Sequence, residues 1–143
     1  MDKAIIFIGS PLQGIAKAAA KNKVKLTPAQ TYAEAEKIAL IMCEYVDVVM
    51  NAIPFSPILA FGKVYKENNT PTGEKARARS MEACLTMIYS GSCSKYLFTA
   101  TPFSDCSSGM HGETGAAYNC GLPVLNITIE EAQEQIRAAR QAV

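Results

Sequence analysis

Short, unbroken runs of hydrophobic residues alternate along the chain with longer segments in which hydrophobic residues recur every three or four positions. The runs are KAIIFIGSP at 3–11, DVVMNAI at 47–53, KYLFTATP at 95–102 and LPVLNI at 122–127. They lack the polar alternation of a half-exposed strand and are typical of strands that are buried on both faces of a sheet. We therefore predict four buried strands, the second of which ends before Pro54.

The segments between these runs predict helices. Four helices are expected, over about 27–46, 74–90, 110–121 and 127–143. The first and the last begin with capping-box pairs, Thr27 with Gln30 and Thr128 with Glu131, which satisfy amide groups at a helix start. Gly91 is the expected end of the second helix.

Two segments have a less defined pattern. The Lys-rich stretch 12–26 is either a short basic helix or a mobile loop, and its sequence fits both interpretations. The segment 54–73 holds three prolines and ends in turn-forming residues. We expect this segment to be a long irregular excursion with one helical turn, and long loops in compact domains often carry function.

The alternation of strands and helices predicts the fold class. Buried strands that are joined through helices require right-handed crossovers and a parallel sheet covered on both faces. We therefore predict a doubly wound α/β fold with four or five parallel strands. The chain has 143 residues, of which 49% are hydrophobic, so it can bury one core. We expect residues 1–143 to form a single domain.

Composition narrows the functional classes. The formal net charge is only +1, whereas a broad nucleic-acid surface needs a clear basic excess, so we expect no nucleic-acid partner. The hydrophobic runs are too short to cross a bilayer, and we expect no membrane partner. Five cysteines without CxxC spacing and a single histidine give little support to a metal site. We expect reduced thiols in a cytoplasmic protein.

Candidate chemistry concentrates at the carboxyl ends of the predicted strands, where open parallel sheets bind ligands. The loop after the third strand supplies Asp105, Ser107, Ser108, Gly109, Met110, His111 and Glu113. It leads into a helix N-terminus, which favours an anion such as phosphate. A turn of small residues with Ser and Asp as helix caps is the alternative. The first strand leads into the turn 9–14, which should lie beside the loop 102–112 because both strands point the same way.

The segment SSGMHGETGAAYNCGLPVLNI resembles the nucleoside 2-deoxyribosyltransferase-like superfamily, in which a Ser/Asp-x-Gly-x-x-x-Glu loop opens a helix that ends in Gly-x-Pro-Val. FIGSPLQG is similar to the first strand and turn of that family. NAIPFSPIL and ARARSMEACLTMI are similar to its small, uncharacterised bacterial and phage branch. The resemblance covers nearly the whole chain in order, apart from 16–26. It implies a homodimer whose partner helps to close the pocket. The implied activity requires no metal and no redox cofactor.

The resemblance also implies roles for individual residues. Glu113 takes the position of the catalytic carboxylate, as a nucleophile or as a stabiliser of a cationic sugar. Ser107 stands where nucleoside-specific members have an Asp. Similarity to the deoxynucleoside 5'-monophosphate N-glycosidase implies that Ser10, Ser107 and Gly109 bind a phosphate. The other ligand-binding candidates are Gly9, Pro11, Ser108, Met110 and Arg79.

Departures from the family pattern leave alternatives open. The helix before the third strand lacks the Asp that family members use to assist the leaving base, and Asp105 and His111 are the candidate substitutes. Arg79 is able either to bind a phosphate or to pair with Glu82 or Glu74 on a solvated helix face.

Three hypotheses follow. The first is an enzyme that hydrolyses the N-glycosidic bond of a nucleoside 5'-monophosphate or transfers its deoxyribosyl group, with Glu113 as the central residue. The second is a binding protein that senses or sequesters a nucleotide-derived ligand without turnover. The third hypothesis is a structural descendant of the family that binds no ligand, in which Glu113 merely complements the dipole in the first turn of a helix.

Overall fold

One parallel sheet forms the centre of the fold, which a computed structural model describes over residues 3–62 and 73–142, without the side chains of residues 73–77 and Cys106. The strands are β1 (Ile5–Gly9), β2 (Ile53–Phe55), β3 (Lys95–Ala100) and β4 (Val124–Thr128). They lie in the order β2-β1-β3-β4, and each neighbouring pair is parallel. This arrangement confirms the predicted doubly wound α/β fold.

Helices connect the strands and cover both faces of the sheet. They are α1 (Gln13–Lys21), α2 (Pro28–Val48), α3 (Pro57–Phe61), α4 (Gly73–Tyr89), α5 (Ser108–Asn119) and α6 (Ile129–Gln141), with a 3-10 turn at Ser104–Cys106. Both predicted capping boxes are present, at Thr27 with Gln30 and at Thr128 with Glu131. Gly91 follows α4 with a φ of +79°, a conformation that glycine adopts without strain.

The two segments with less defined patterns are largely helical where the structure describes them. Helix α1 lies within the Lys-rich stretch, so its interpretation as a short basic helix is confirmed for Gln13–Lys21. The single helical turn expected in 54–73 is α3. The remainder of that segment, residues 63–72, lies outside the described residues. Within the described ranges, no helix has both the length and the apolar character that a membrane crossing requires.

The second strand was predicted wrongly at 47–53. Helix α2 continues to Val48, a turn with Asn51 at a φ of +51° follows, and β2 runs from Ile53 to Phe55. Pro54 therefore lies inside the strand that it was expected to end. It is tolerated because β2 is an edge strand: Ile53 donates its amide to Ala4 at 2.8 Å, so the nitrogen of the next residue faces away from β1.

The core lies on both faces of the sheet, and the alternation of β1 divides it. On one face, Ile6 and Ile8 pack with Met42 and Val46 of α2 and with α6. On the other face, Phe7 packs with residues of α4, α5 and β3. These are Cys84, Ile88, Tyr96, Ala116 and Ala117. The second face is the one on which the candidate site lies.

Candidate functional site

The sheet has its topological switch point between β1 and β3. From β1 the chain leaves toward β2 on one side, and from β3 it leaves toward β4 on the other side. Such a divergence opens a crevice at the carboxyl ends of the two strands. The loops that follow them do meet there: a Cβ at Gly14 would lie 2.6 Å from the carbonyl oxygen of Phe103 and 3.1 Å from the Cβ of Ser107.

A cleft of about 60 Å³ occupies this crevice. Its polar lining consists of Ser10, Gln13, Ser80, Ser107 and Glu113. Its remaining lining consists of Ile8, Leu12, Pro57, Ile58, Met81, Cys84, Gly109 and Met110. Among the described residues that line the cleft, Glu113 alone carries a formal charge.

Glu113 lies in the second turn of α5, since that helix begins at Ser108, and only 7% of the residue is exposed. A carboxylate that merely complements the helix dipole would lie in the first turn and in solvent. Burial of a charged group is costly unless hydrogen bonds compensate it. The position of Glu113 therefore calls for a partner, and the structure provides one.

That partner is Tyr96 on β3, whose hydroxyl donates a hydrogen bond of 2.9 Å to Oε1 of Glu113. Tyr96 has no exposed surface. Burial, and next the negative charge of Glu113, raise the pKa of Tyr96 well above its ordinary value of 10. The phenol thus remains protonated and holds one carboxylate oxygen in place. Sequence reasoning missed Tyr96, although a tyrosine in a buried strand signals a hydroxyl that needs a partner.

Two serines outside α4, Ser10 and Ser107, also line the cleft. Ser107 is the N-cap of α5, and its Oγ accepts the amide of Met110 at 3.3 Å. The Oγ of Ser10 is buried and has no hydrogen-bond partner among the described residues. Buried hydroxyls are nearly always paired. An unpaired one in the lining of a cleft therefore indicates a group that a ligand or water would satisfy.

The structure brings together five of the residues that the sequence singled out. Ser10, Ser107, Gly109, Met110 and Glu113 all line the cleft. Sequence reasoning did not single out Gln13, Ser80, Met81 or Cys84, which line it as well. They come from α1 and α4, and only the tertiary packing places them there.

The other predicted site residues do not line the cleft. Asp105 and Ser108 are exposed, and Pro11 is buried beside the cleft. His111 is also exposed, and its ring lies 6.4 Å from that of Phe98. Arg79 is exposed on α4, on a surface that it shares with Phe61, Glu82 and Met87. Gly9 lies against the hydroxyl end of the Tyr96 ring.

No cluster of three or more His, Cys, Asp or Glu side chains in the described part of the chain is able to hold a metal ion. Comparison with known proteins supplies no relative. The chain matches no family model, no curated protein and no solved structure. The chemistry of the cleft is therefore the basis for a functional assignment.

Proposed function

We propose that this protein acts in the cytoplasm on the N-glycosidic bond of a nucleoside 5'-monophosphate, by hydrolysis or by transfer of the deoxyribosyl group. The observation that carries the proposal is the buried carboxylate of Glu113, which Tyr96 holds at 2.9 Å in a cleft at the switch point of the sheet. The proposed cytoplasmic location is compatible with the free thiols of Cys43, Cys93 and Cys120, since thiols remain reduced in that compartment.

Cleavage of an N-glycosidic bond develops positive charge on C1' of the sugar, and a fixed carboxylate stabilises that charge. In the proposed reaction, the C1'–N bond breaks and its electron pair leaves with the base, which takes up a proton. A carboxylate oxygen of Glu113 stabilises the sugar cation or forms a covalent bond to C1'. Water, or a second base, then attacks C1' and regenerates the carboxylate.

The phosphate is proposed to lie at the start of α5. Ser107 is the N-cap of that helix and Gly109 lies in its first turn. Ser10, whose buried hydroxyl is unpaired among the described residues, lines the same cleft. Neutral O–H and N–H donors at the positive end of a helix dipole bind an oxyanion without a cationic side chain. They also leave the carboxylate of Glu113 as the charged group next to the sugar.

A non-catalytic role is the second candidate, and a specific observation favours it. Neither Asp105 nor His111 lines the cleft, so no second acid from that loop is positioned to protonate a leaving base. In the catalytic proposal, that proton comes from water. In the alternative, the protein binds a nucleotide-derived ligand and does not release a base.

We also propose that two copies associate. Half-buried Met81 and Leu85 lie on one face of α4 with Tyr89, which is 55% exposed, and they line a mostly apolar groove. A second copy would cover these side chains. Sedimentation velocity tests this proposal: wild type should sediment as a dimer and Leu85→Glu as a monomer, whereas a wild-type monomer would contradict it.

The experiment that tests the function combines two readouts on one set of samples. Each nucleoside 5'-monophosphate and its matching nucleoside are incubated with the protein, and thermal stability and free base are both measured. We expect the nucleotide to give the larger thermal shift, together with base release. At 100 times its dissociation constant, a ligand adds about 2.7 kcal/mol to the free energy of unfolding. Stabilisation without release would select the binding protein. Equal shifts for nucleoside and nucleotide would remove the phosphate from the proposal.

A further inference from the structure

We infer that Gly9 is a positioning residue for Glu113: its missing side chain leaves the space in which the hydroxyl of Tyr96 reaches the carboxylate. This inference rests on the proposed function, because it concerns the group placed at the sugar. It assigns Gly9 a role different from ligand contact, which is the role that its turn sequence predicted.

The geometry that supports the inference is a close approach across the sheet. Strands β1 and β3 pair with Phe7 opposite Tyr96 and Gly9 opposite Phe98. The ring of Tyr96 stacks on that of Phe7, with centroids 5.4 Å apart and planes at 22°. Its hydroxyl end extends to Gly9, where a Cβ would lie 1.7 Å from Oη and 2.4 Å from Cζ of Tyr96.

The backbone conformation does not require glycine at this position, because among the described glycines only Gly91 and Gly121 have a positive φ. Tyr96 is completely buried between Phe7 and the residues of α4 and α5. A Cβ at position 9 would overlap Oη and Cζ of Tyr96, so the ring or the backbone of β1 must shift. A shift of the ring would lengthen its hydrogen bond to Glu113.

The electrostatics of the pair agree with this role. A phenol acts as a donor to the carboxylate only while it is protonated. Burial and the charge of Glu113 keep the pKa of Tyr96 well above 10, so the donor persists throughout the physiological range. The hydrogen bond then depends on the distance between the two groups, which Gly9 controls.

The test is a double-mutant cycle between Gly9 and Tyr96. Tyr96→Phe removes the hydroxyl and should lower kcat by about 10-fold to 100-fold, the value of a hydrogen bond to a charged group, with KM changed by less than about threefold. Gly9→Ala should give a similar loss of kcat. Tyr96→Leu removes the ring atoms that clash, so Gly9→Ala in that background should change kcat by no more than about twofold.

The matched control is Gly115→Ala, a glycine-to-alanine change on α5 two residues after Glu113, where an added Cβ meets no atom within 4 Å. It should leave kcat unchanged. If Gly9→Ala costs as much in the Tyr96→Leu background as in wild type, Gly9 acts by touching the ligand and the inference is wrong. A control variant that is as impaired as Gly9→Ala would also overturn it.

A second readout separates this inference from the proposed function. The pKa of Tyr96, followed by NMR of ring-labelled tyrosine, should fall in Gly9→Ala. The displaced phenol would be less buried and further from the negative charge of Glu113, and these are the two effects that raise its pKa. This measurement needs no turnover. A wild-type protein that releases no base refutes the proposed reaction, while an unchanged Tyr96 pKa in Gly9→Ala refutes the role of Gly9.

Discussion

Replacement of Glu113 by Gln is the most informative perturbation of the site. Gln has nearly the same size, and its amide oxygen is able to accept the hydrogen bond that Tyr96 now donates to Oε1 at 2.9 Å. The substitution therefore preserves the contact and the packing of a residue that is only 7% exposed, and it removes the negative charge. Any change in function then reports on the charge.

The expected magnitude depends on what that charge does. If Glu113 stabilises a developing sugar cation, Glu113→Gln should lower base release by about 10²-fold or more, which corresponds to about 2.7 kcal/mol in the barrier. Binding of a nucleoside 5'-monophosphate should persist or tighten slightly, because an anion near a dianion opposes binding. If the protein only binds its ligand through Glu113, affinity should instead fall by about 1.5–3 kcal/mol.

The assay measures both quantities on the same variant. Calorimetric titration with one nucleotide gives the affinity, and chromatography of the same mixture gives the released base. Tyr96 provides an internal control, since its pKa should fall when the neighbouring negative charge is removed. Unchanged affinity together with unchanged base release in the variant would refute the assignment of Glu113 to the site.

Three further predictions concern stability and can be checked by chemical unfolding. The free energy of unfolding should decrease above about pH 10, because the unfolded state releases the Tyr96 proton there while the buried phenol retains it. In Tyr96→Phe the free energy of unfolding should fall less steeply with pH, by up to about 1.4 kcal/mol per pH unit. Equal slopes in wild type and Tyr96→Phe would contradict the raised pKa of Tyr96. Ser107→Ala should cost about 1 kcal/mol without ligand through loss of the α5 cap, whereas exposed Ser94→Ala should change stability by less than about 0.5 kcal/mol.

The fold could be predicted because its strands are buried on both faces and therefore appear as unbroken hydrophobic runs. The same property explains the error at β2. Val48 and Val49 suit a buried strand as well as a helix, and hydrophobicity alone does not separate the two. In the structure, α2 extends through Asp47 and Val48 and ends at Val48. The helix thus takes two residues that the sequence assigned to the strand.

The location of the site was predictable for a topological reason, and its composition was not. Strands that point the same way bring the turn after β1 and the loop after β3 to one edge, so Ser10, Ser107 and Glu113 were expected together. Tyr96 escaped prediction because its partner lies 17 residues further along the chain, on another element. Met81 and Cys84 reach the cleft only because α4 packs against α5.

The single formal charge in the described lining of the cleft, the carboxylate of Glu113, is the argument for the catalytic proposal over simple binding. A neutral sugar beside the buried carboxylate of Glu113 gains little from its charge, whereas a sugar cation about 4 Å away gains up to about 4 kcal/mol at an effective dielectric constant of 20. In the proposed reaction, the carboxylate would therefore stabilise the transition state more than the bound substrate, and this difference is the condition for rate acceleration. An anion at the start of α5 would sit at the positive end of that helix and need no lysine or arginine. A cleft evolved only to retain a phosphorylated ligand would gain affinity from a cation, yet the charged residue in its described lining is a carboxylate.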